Sequence, residues 1–141
     1  MAKTGLVLEG GAFRGVFTSG VLDVLMENGI EYDYVIGVSA GAGNGMGYIT
    51  GQVGRTRNVI KPKDHSQNYF GLKQVLKHGK FLNLDKMFFE YPYKQYPYDF
   101  DKFRKSDVAL EVVVSNCDTG KAEYYDEREG IMLGSAYVCT G

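Results

Sequence analysis

Two short apolar segments, each leading into a cluster of glycines, constrain the fold of this chain more than any other feature. Residues 4–8 lead into Gly10-Gly11, and residues 34–38 lead into a second cluster that includes Gly41. Apolar runs of this length, bounded by turn residues, predict buried strands. A helical pattern follows each cluster, and a strand that passes through a tight turn into a helix is the repeating unit of a parallel sheet. The sequence therefore predicts an α/β fold.

The rest of the chain fits this layout. Val21 and Leu25 lie one turn apart on a predicted helix that ends at Gly29. Val112 stands in a run of three valines, which predicts a strand buried on both faces. Helices are expected over residues 14–28, 40–48, 64–76, 84–90 and 99–106, the last of them capped by Asp99, and from residue 127. Strands are expected over residues 108–115 and 121–125. Pro92 and Pro97 are expected to interrupt the aromatic segment. We predict one three-layer α/β/α domain with a mainly parallel sheet.

Composition excludes several classes of protein. The 141 residues suit one domain, and the net charge of -1 argues against a nucleic-acid binder. No run of about 18 apolar residues predicts a membrane-spanning helix, and the N-terminus lacks a signal-peptide core. Cys117 and Cys139 are too few for a disulfide framework and lack metal-ligand spacing, so we expect reduced thiols in a cytoplasmic protein that needs no metal or cofactor.

The second glycine cluster has the pattern of a nucleophile elbow. Gly37, Ser39 and Gly41 match G-x-S-x-G directly after a predicted strand. In such an elbow the serine stands on a sharp strand-to-helix turn, and its neighbours two residues away must be small because the backbones crowd together. The alternative is a glycine-rich connection with an incidental serine.

The first cluster is suited to binding an anion. Gly10, Gly11 and Ala12 expose backbone N–H groups at the start of a helix, and Arg14 adds a positive charge. These groups fit an oxyanion hole or a phosphate-binding loop, but the Lys-Ser/Thr of a P-loop is absent. The alternative is a tight turn that only permits close helix–strand packing. Because both clusters follow parallel strands, we expect them at one sheet edge, where a nucleophile beside anion-binding amides indicates acyl transfer.

These two motifs resemble the patatin-like phospholipase family, specifically its bacterial branch. The resemblance rests on LEGGAFRG over residues 8–15 and IGVSAG over residues 36–41, and it continues more loosely through residues 112–125. It implies a patatin-like fold and a serine acyl hydrolase that cleaves carboxylic esters of lipids with a Ser-Asp dyad. By motif position Ser39 is then the nucleophile, Gly37 and Gly41 form the elbow, and Gly10, Gly11, Ala12 and Arg14 form the oxyanion hole. The family usually has a third glycine where this chain has Ala12.

The dyad aspartate of the family lies in a D-G-G or D-G-A motif, and the sequence contains neither string. We expect it beyond residue 141, so that the chain is the N-terminal part of one acyl hydrolase domain and is weakly active or inactive alone. Asp118 is better explained as a turn residue than as the base. His65 and His78 have no motif around them and are expected at the surface. The rival functions are a catalytically silent lipid- or acyl-binding module and a phosphate- or nucleotide-binding domain.

Two biased segments leave the choice of partner open. Residues 55–80 hold seven basic residues and one acidic residue, and eight aromatic residues lie within residues 88–103. Together they are compatible with peripheral contact to an anionic membrane, and residues 91–98 with a lid over the acyl site. The modest amphipathic pattern favours a solvated charged face beside core aromatics. An apolar face left open in so short a chain would favour oligomerisation.

Overall fold

A computed structural model describes residues 3–64 and 68–126 of the chain. Its centre is a four-stranded sheet in the order β1 (Gly5–Leu8), β2 (Tyr34–Val38), β3 (Ala109–Ser115) and β4 (Ala122–Asp126). The first three strands are parallel, and β4 returns antiparallel to β3. The predicted α/β fold with a mainly parallel sheet is confirmed.

In the part of the chain that the structure describes, five α-helices flank or connect the strands: α1 (Gly15–Glu27), α2 (Ala40–Ile49), α3 (Arg55–Ile60), α4 (Leu72–His78) and α5 (Phe100–Lys105). A 3₁₀ turn over Ala12–Arg14 precedes α1. Asp99 caps α5 as predicted, because its Oδ1 accepts a hydrogen bond of 2.9 Å from the Lys102 amide. Within the described ranges, no helix combines the length and the apolar character needed to cross a membrane.

The core lies between one face of the sheet and α2. Alternate strand residues point into it, among them Leu8, Val35 and Leu110, and Leu22 of α1 joins the same cluster. The three valines of β3 also alternate, since Val112 and Val114 are buried and Val113 is half-buried, so this strand is not buried equally on both faces. On the opposite face Val7 is 79% exposed.

The middle of the chain departs from the predicted helix bounds. Helix α4 begins only after Gly71, whose φ of 110° is not helical, and α3 was not anticipated. A π-helical segment covers Lys86–Gln95 and contains Pro92, which therefore does not end it. Its hydrogen bonds join residues five apart, as between the Tyr96 amide and the Tyr91 carbonyl at 2.9 Å. The helix predicted from residue 127, together with His65 and Cys139, lies outside the described residues.

Candidate active site

Ser39 stands in the sharp turn between β2 and α2. Its φ of 52° and ψ of −119° belong to a region that residues other than glycine rarely adopt. The side chain is exposed, and its hydroxyl does not cap the helix. The Ser39 carbonyl instead accepts the Ala42 amide at 3.0 Å, which starts α2. The turn thus presents a serine hydroxyl to solvent at the carboxyl end of a parallel strand.

The two glycines of the elbow have no room for a side chain. A Cβ atom on Gly37 would lie 2.5 Å from the Ala42 backbone nitrogen. A Cβ atom on Gly41 would overlap the carbonyl oxygen of Leu8, at the end of β1. Because both collisions are with backbone, neither can be relieved by a side-chain rotation. Close packing of α2 against β1 and β2 therefore explains the spacing of the motif.

The glycine-rich loop lies directly beside the serine. A Cβ atom on Gly10 would come within 3.3 Å of the Ser39 Cβ, so the two predicted clusters meet at one sheet edge. Ala12 has a φ of 45°, and in the described ranges only Ala12 and Ser39 combine a side chain with a positive φ. The Arg14 amide donates to the Gly11 carbonyl at 2.9 Å and closes the turn. Strained backbone is thus concentrated at the two turns.

Arg14 folds back over its own loop. A Cβ atom on Gly11 would lie 3.1 Å from the Arg14 Nε and 3.4 Å from a terminal guanidinium nitrogen. The side chain is exposed and sits at the amino end of α1. Its positive charge adds to that of the helix N-terminus, and both favour an anion at this point.

Asn44 links the two turns, and sequence reasoning missed it. The side chain is only 4% exposed, and its Nδ2 donates 2.9 Å to the Gly15 carbonyl at the start of α1. The Thr56 hydroxyl donates to the Asn44 Oδ1 at 2.9 Å and orients the amide. A buried polar group needs such partners. The sequence did contain a signal for it, because Asn44 is the one amide side chain among the small and apolar residues of α2.

Tyr98 contacts α2 directly, and Arg55 stacks on the Tyr98 ring. The Tyr98 hydroxyl donates to the Gly43 carbonyl at 3.0 Å, and the Arg55 guanidinium lies 3.3 Å from the centre of the Tyr98 ring. Arg55 also donates two hydrogen bonds, of 3.0 and 2.6 Å, to the Tyr96 carbonyl. Burial lowers the pKa of Arg55 and raises the pKa of Tyr98, although Arg55 opposes the second shift. Within residues 91–98, Tyr91, Pro92 and Tyr98 are buried, whereas Tyr93, Lys94 and Pro97 are exposed, and a lid formed by this segment stays a prediction.

Neither Asp118 nor His78, the candidate bases among the described residues, hydrogen-bonds Ser39. Asp118 occupies the exposed turn between β3 and β4, where the Asn116 Oδ1 accepts the amides of Asp118 and Thr119 at 2.9 Å each. The turn is thus capped by Asn116 rather than by Asp118 itself. His78 ends α4 and is exposed. Within residues 3–64 and 68–126, no side chain hydrogen-bonds the Ser39 hydroxyl.

Comparison with known proteins agrees with this geometry. The family model for patatin-like phospholipase matches residues 6–110, which include both turns, β1 except Gly5, all of β2 and the first two residues of β3. An uncharacterized protein, YjjU of Escherichia coli (strain K12), is 37% identical over 84 residues; these are 59% of this chain and 24% of the relative. The chain thus aligns with about a quarter of that relative's length. No solved structure matches the chain significantly. The family match spans most of the sequence, and the chain belongs to the patatin-like phospholipase family.

Proposed function

We propose that the chain carries the nucleophile and the oxyanion hole of a serine acyl hydrolase that cleaves carboxylic esters of lipids. One observation carries the proposal: an exposed serine in a strained elbow lies against a glycine-rich loop, with 3.3 Å between the Ser39 Cβ and the Cβ position of Gly10. A phosphate-binding loop has no use for a nucleophile at that position. Membership of the patatin-like phospholipase family supports a lipid ester as the substrate.

In this mechanism the Ser39 Oγ attacks the carbonyl carbon of the ester. The carbonyl oxygen becomes negatively charged and is stabilised by the backbone N–H groups of Gly10, Gly11 and Ala12, each such donor being worth about 10²–10³ in rate. Arg14 adds a positive charge beside the loop. The alcohol leaves as the tetrahedral intermediate collapses, and water then releases the acyl group from Ser39.

The mechanism needs a base for the Ser39 proton. The family uses an aspartate in a D-G-G or D-G-A motif, and we place it outside the 141 residues of this sequence. General-base assistance contributes typically about 10²–10⁴ in rate. The chain by itself is therefore expected to react slowly with an activated phosphonate and to turn over phospholipid negligibly. Labelling is expected to speed up as the pH rises, because hydroxide substitutes for the base.

Labelling with a fluorophosphonate tests the nucleophile. We expect one labelled serine, identified by peptide mass mapping as Ser39, and no labelling of Ser39→Ala. Ser115→Ala is the matched control, because Ser115 is an exposed serine at the carboxyl end of β3. Undiminished labelling of a folded Ser39→Ala protein would contradict the assignment. An unlabelled wild-type chain that still binds an acyl ligand would favour the catalytically silent module.

Release of fatty acid from phospholipid tests the missing base. Turnover is to be measured on the 141-residue chain, alone and extended by a family segment that contains D-G-G. We expect turnover only with the extension. Rapid turnover by the chain alone at neutral pH would place the base inside it, with Asp118 as the first residue to substitute.

A further inference from the structure

Residues 69–83 form an arm that contains helix α4 and is closed at its base. An antiparallel bridge pairs Phe70 with Leu82 at its base. The Gly71 amide donates to the Phe81 carbonyl at 3.0 Å, and the Asn83 amide donates to the Tyr69 carbonyl at 2.7 Å. These bonds tie the two ends of the segment together, so the α4 arm has a defined shape.

Within the α4 arm, the helix presents its apolar side to solvent. Leu72 is 72% exposed and Leu76 is 82% exposed. Gln74, on the opposite side of the helix, faces inward, where its Nε2 donates to the Asn68 carbonyl at 2.6 Å and its Oε1 accepts from the Asn83 Nδ2 at 3.5 Å. A helix of a soluble domain normally buries its apolar side and exposes its polar side. The exposed leucines mark the outer surface of α4 as a contact surface.

The same surface carries positive charge. Lys73, Lys77 and Lys80 are exposed, and residues 68–84 contain no aspartate or glutamate. At helical spacing the first two lysines flank the stripe of leucines. Phe81, 60% exposed, follows directly after the last lysine. Exposed apolar side chains flanked by lysines fit the interface of an anionic bilayer, where the apolar groups enter the acyl region and the ammonium groups meet phosphates.

The base of the α4 arm touches the glycine-rich loop. Phe13 follows Ala12 in the chain, and its ring packs edge-on against Phe70 with 4.8 Å between the ring centres. The Tyr69 ring also packs against the Phe13 ring, with 6.3 Å between the ring centres. A surface bound by the arm would therefore lie beside the candidate oxyanion loop.

We propose that the α4 arm docks this protein onto the surface of an anionic phospholipid bilayer, with Leu72, Leu76 and Phe81 inserted at the interface. A second copy of the chain is a poorer occupant. A symmetric pairing through this surface would place lysines against lysines without an acidic residue of the arm to compensate. The inference concerns binding alone and does not require that Ser39 react.

Sedimentation with vesicles tests the charge requirement. The whole chain is expected to bind vesicles of phosphatidylcholine mixed with phosphatidylglycerol and to bind pure phosphatidylcholine much more weakly. The double variant Lys73→Gln/Lys77→Gln should bind the mixed vesicles about 30-fold more weakly, since each basic residue near such a surface contributes about fivefold. Lys105→Gln/Lys121→Gln removes two exposed lysines elsewhere and should bind like the wild type.

Tryptophan fluorescence tests the apolar insertion. The chain contains no Trp, so Leu76→Trp provides a single reporter. Its emission should shift to the blue with the mixed vesicles, whereas that of Lys105→Trp should not. The proposal is overturned if the wild type does not bind the mixed vesicles, if Lys73→Gln/Lys77→Gln binds equally well, or if Leu76→Trp keeps the emission of a solvated indole on the vesicle. A different result would be that the wild type self-associates without vesicles and that Leu72→Ser/Leu76→Ser abolishes this association. That result would assign the surface to a second copy of the chain and would also overturn the proposal.

Discussion

The two glycine-rich turns make the same kind of connection but differ in how deeply their surroundings are buried. Each joins a parallel strand to a helix, and each holds one side-chain-bearing residue at positive φ, Ser39 at 52° and Ala12 at 45°. The elbow leads into α2, which is buried at eight of its ten positions. The loop leads through exposed residues into α1, which is buried only at Gly15, Ser19 and Leu22.

This difference shows what holds each turn in place. The elbow is enforced by packing, because backbone atoms surround Gly37 and Gly41 on the core side. The loop is open to solvent and depends on a few specific bonds, above all the one from Asn44 to Gly15. The elbow should therefore respond to changes in volume, and the loop to the loss of individual polar partners.

The largest expected effect comes from filling the space at the elbow. Gly41→Ala should lower the free energy of unfolding by about 3 kcal/mol or more, because the new methyl group collides with the Leu8 carbonyl. The matched control is Gly20→Ala in the exposed middle of α1, where nothing lies within 4 Å. That change should raise the same quantity by about 0.5–1 kcal/mol. Urea denaturation measures both, and equal stabilities would show that packing does not enforce the elbow.

Removing the link between the turns should have the next largest effect. Asn44→Leu leaves the Gly15 carbonyl and the Thr56 hydroxyl without a buried partner and should cost about 2 kcal/mol. Fluorophosphonate labelling should also slow, because Gly15 directly follows the candidate oxyanion loop. Thr56→Val keeps the bond to Gly15 and should cost only about 1 kcal/mol, with near-normal labelling. If both variants label at the wild-type rate, the loop does not depend on Asn44.

The support behind the elbow should give a smaller, pH-dependent effect. Tyr98→Phe loses the hydrogen bond to the Gly43 carbonyl and should cost about 1 kcal/mol at neutral pH. Burial raises the Tyr98 pKa above its ordinary 10.0, so the folded protein holds this proton more tightly than the unfolded chain. The resulting stability is complete below pH 10 and is lost as the pH rises through the folded-state pKa. The alkaline loss of stability should therefore be shallower in Tyr98→Phe than in the wild type, and parallel curves would contradict this.

Arg14→Ala should have the smallest effect on stability, within about 0.5 kcal/mol, because the side chain is exposed. Its effect is expected on the rate. In the complete enzyme kcat should fall about three- to tenfold with little change in KM, since the charge acts on the oxyanion and is partly screened by solvent. A change confined to KM would instead indicate that the loop binds an anion in the ground state.

Local rules account for what could be predicted from the sequence. The strands of the sheet, the cap at Asp99 and the two glycine turns follow from hydrophobic pattern and backbone sterics within a few residues. The same rules misplaced the start of α4 and interrupted the helical segment at Pro92, because the π-helical bonds there depend on surrounding packing rather than on helix propensity. The site residues proposed from the motifs lie together at one edge, whereas Asn44 was missed because its partners are 29 and 12 residues away.

The sequence by itself determined the order of the strands along the chain, their mainly parallel arrangement and the family. Short-range periodicity and two motifs, one of eight residues and one of six, are enough for these. Only the tertiary structure decided that Gly10 lies against Ser39, that Tyr98 packs behind α2, and that α4 turns its leucines outward. The physical reason is that burial and long-range hydrogen bonds depend on the whole surrounding fold. A periodic pattern states which residues of a helix share a face, and packing alone decides whether that face meets the core or the solvent.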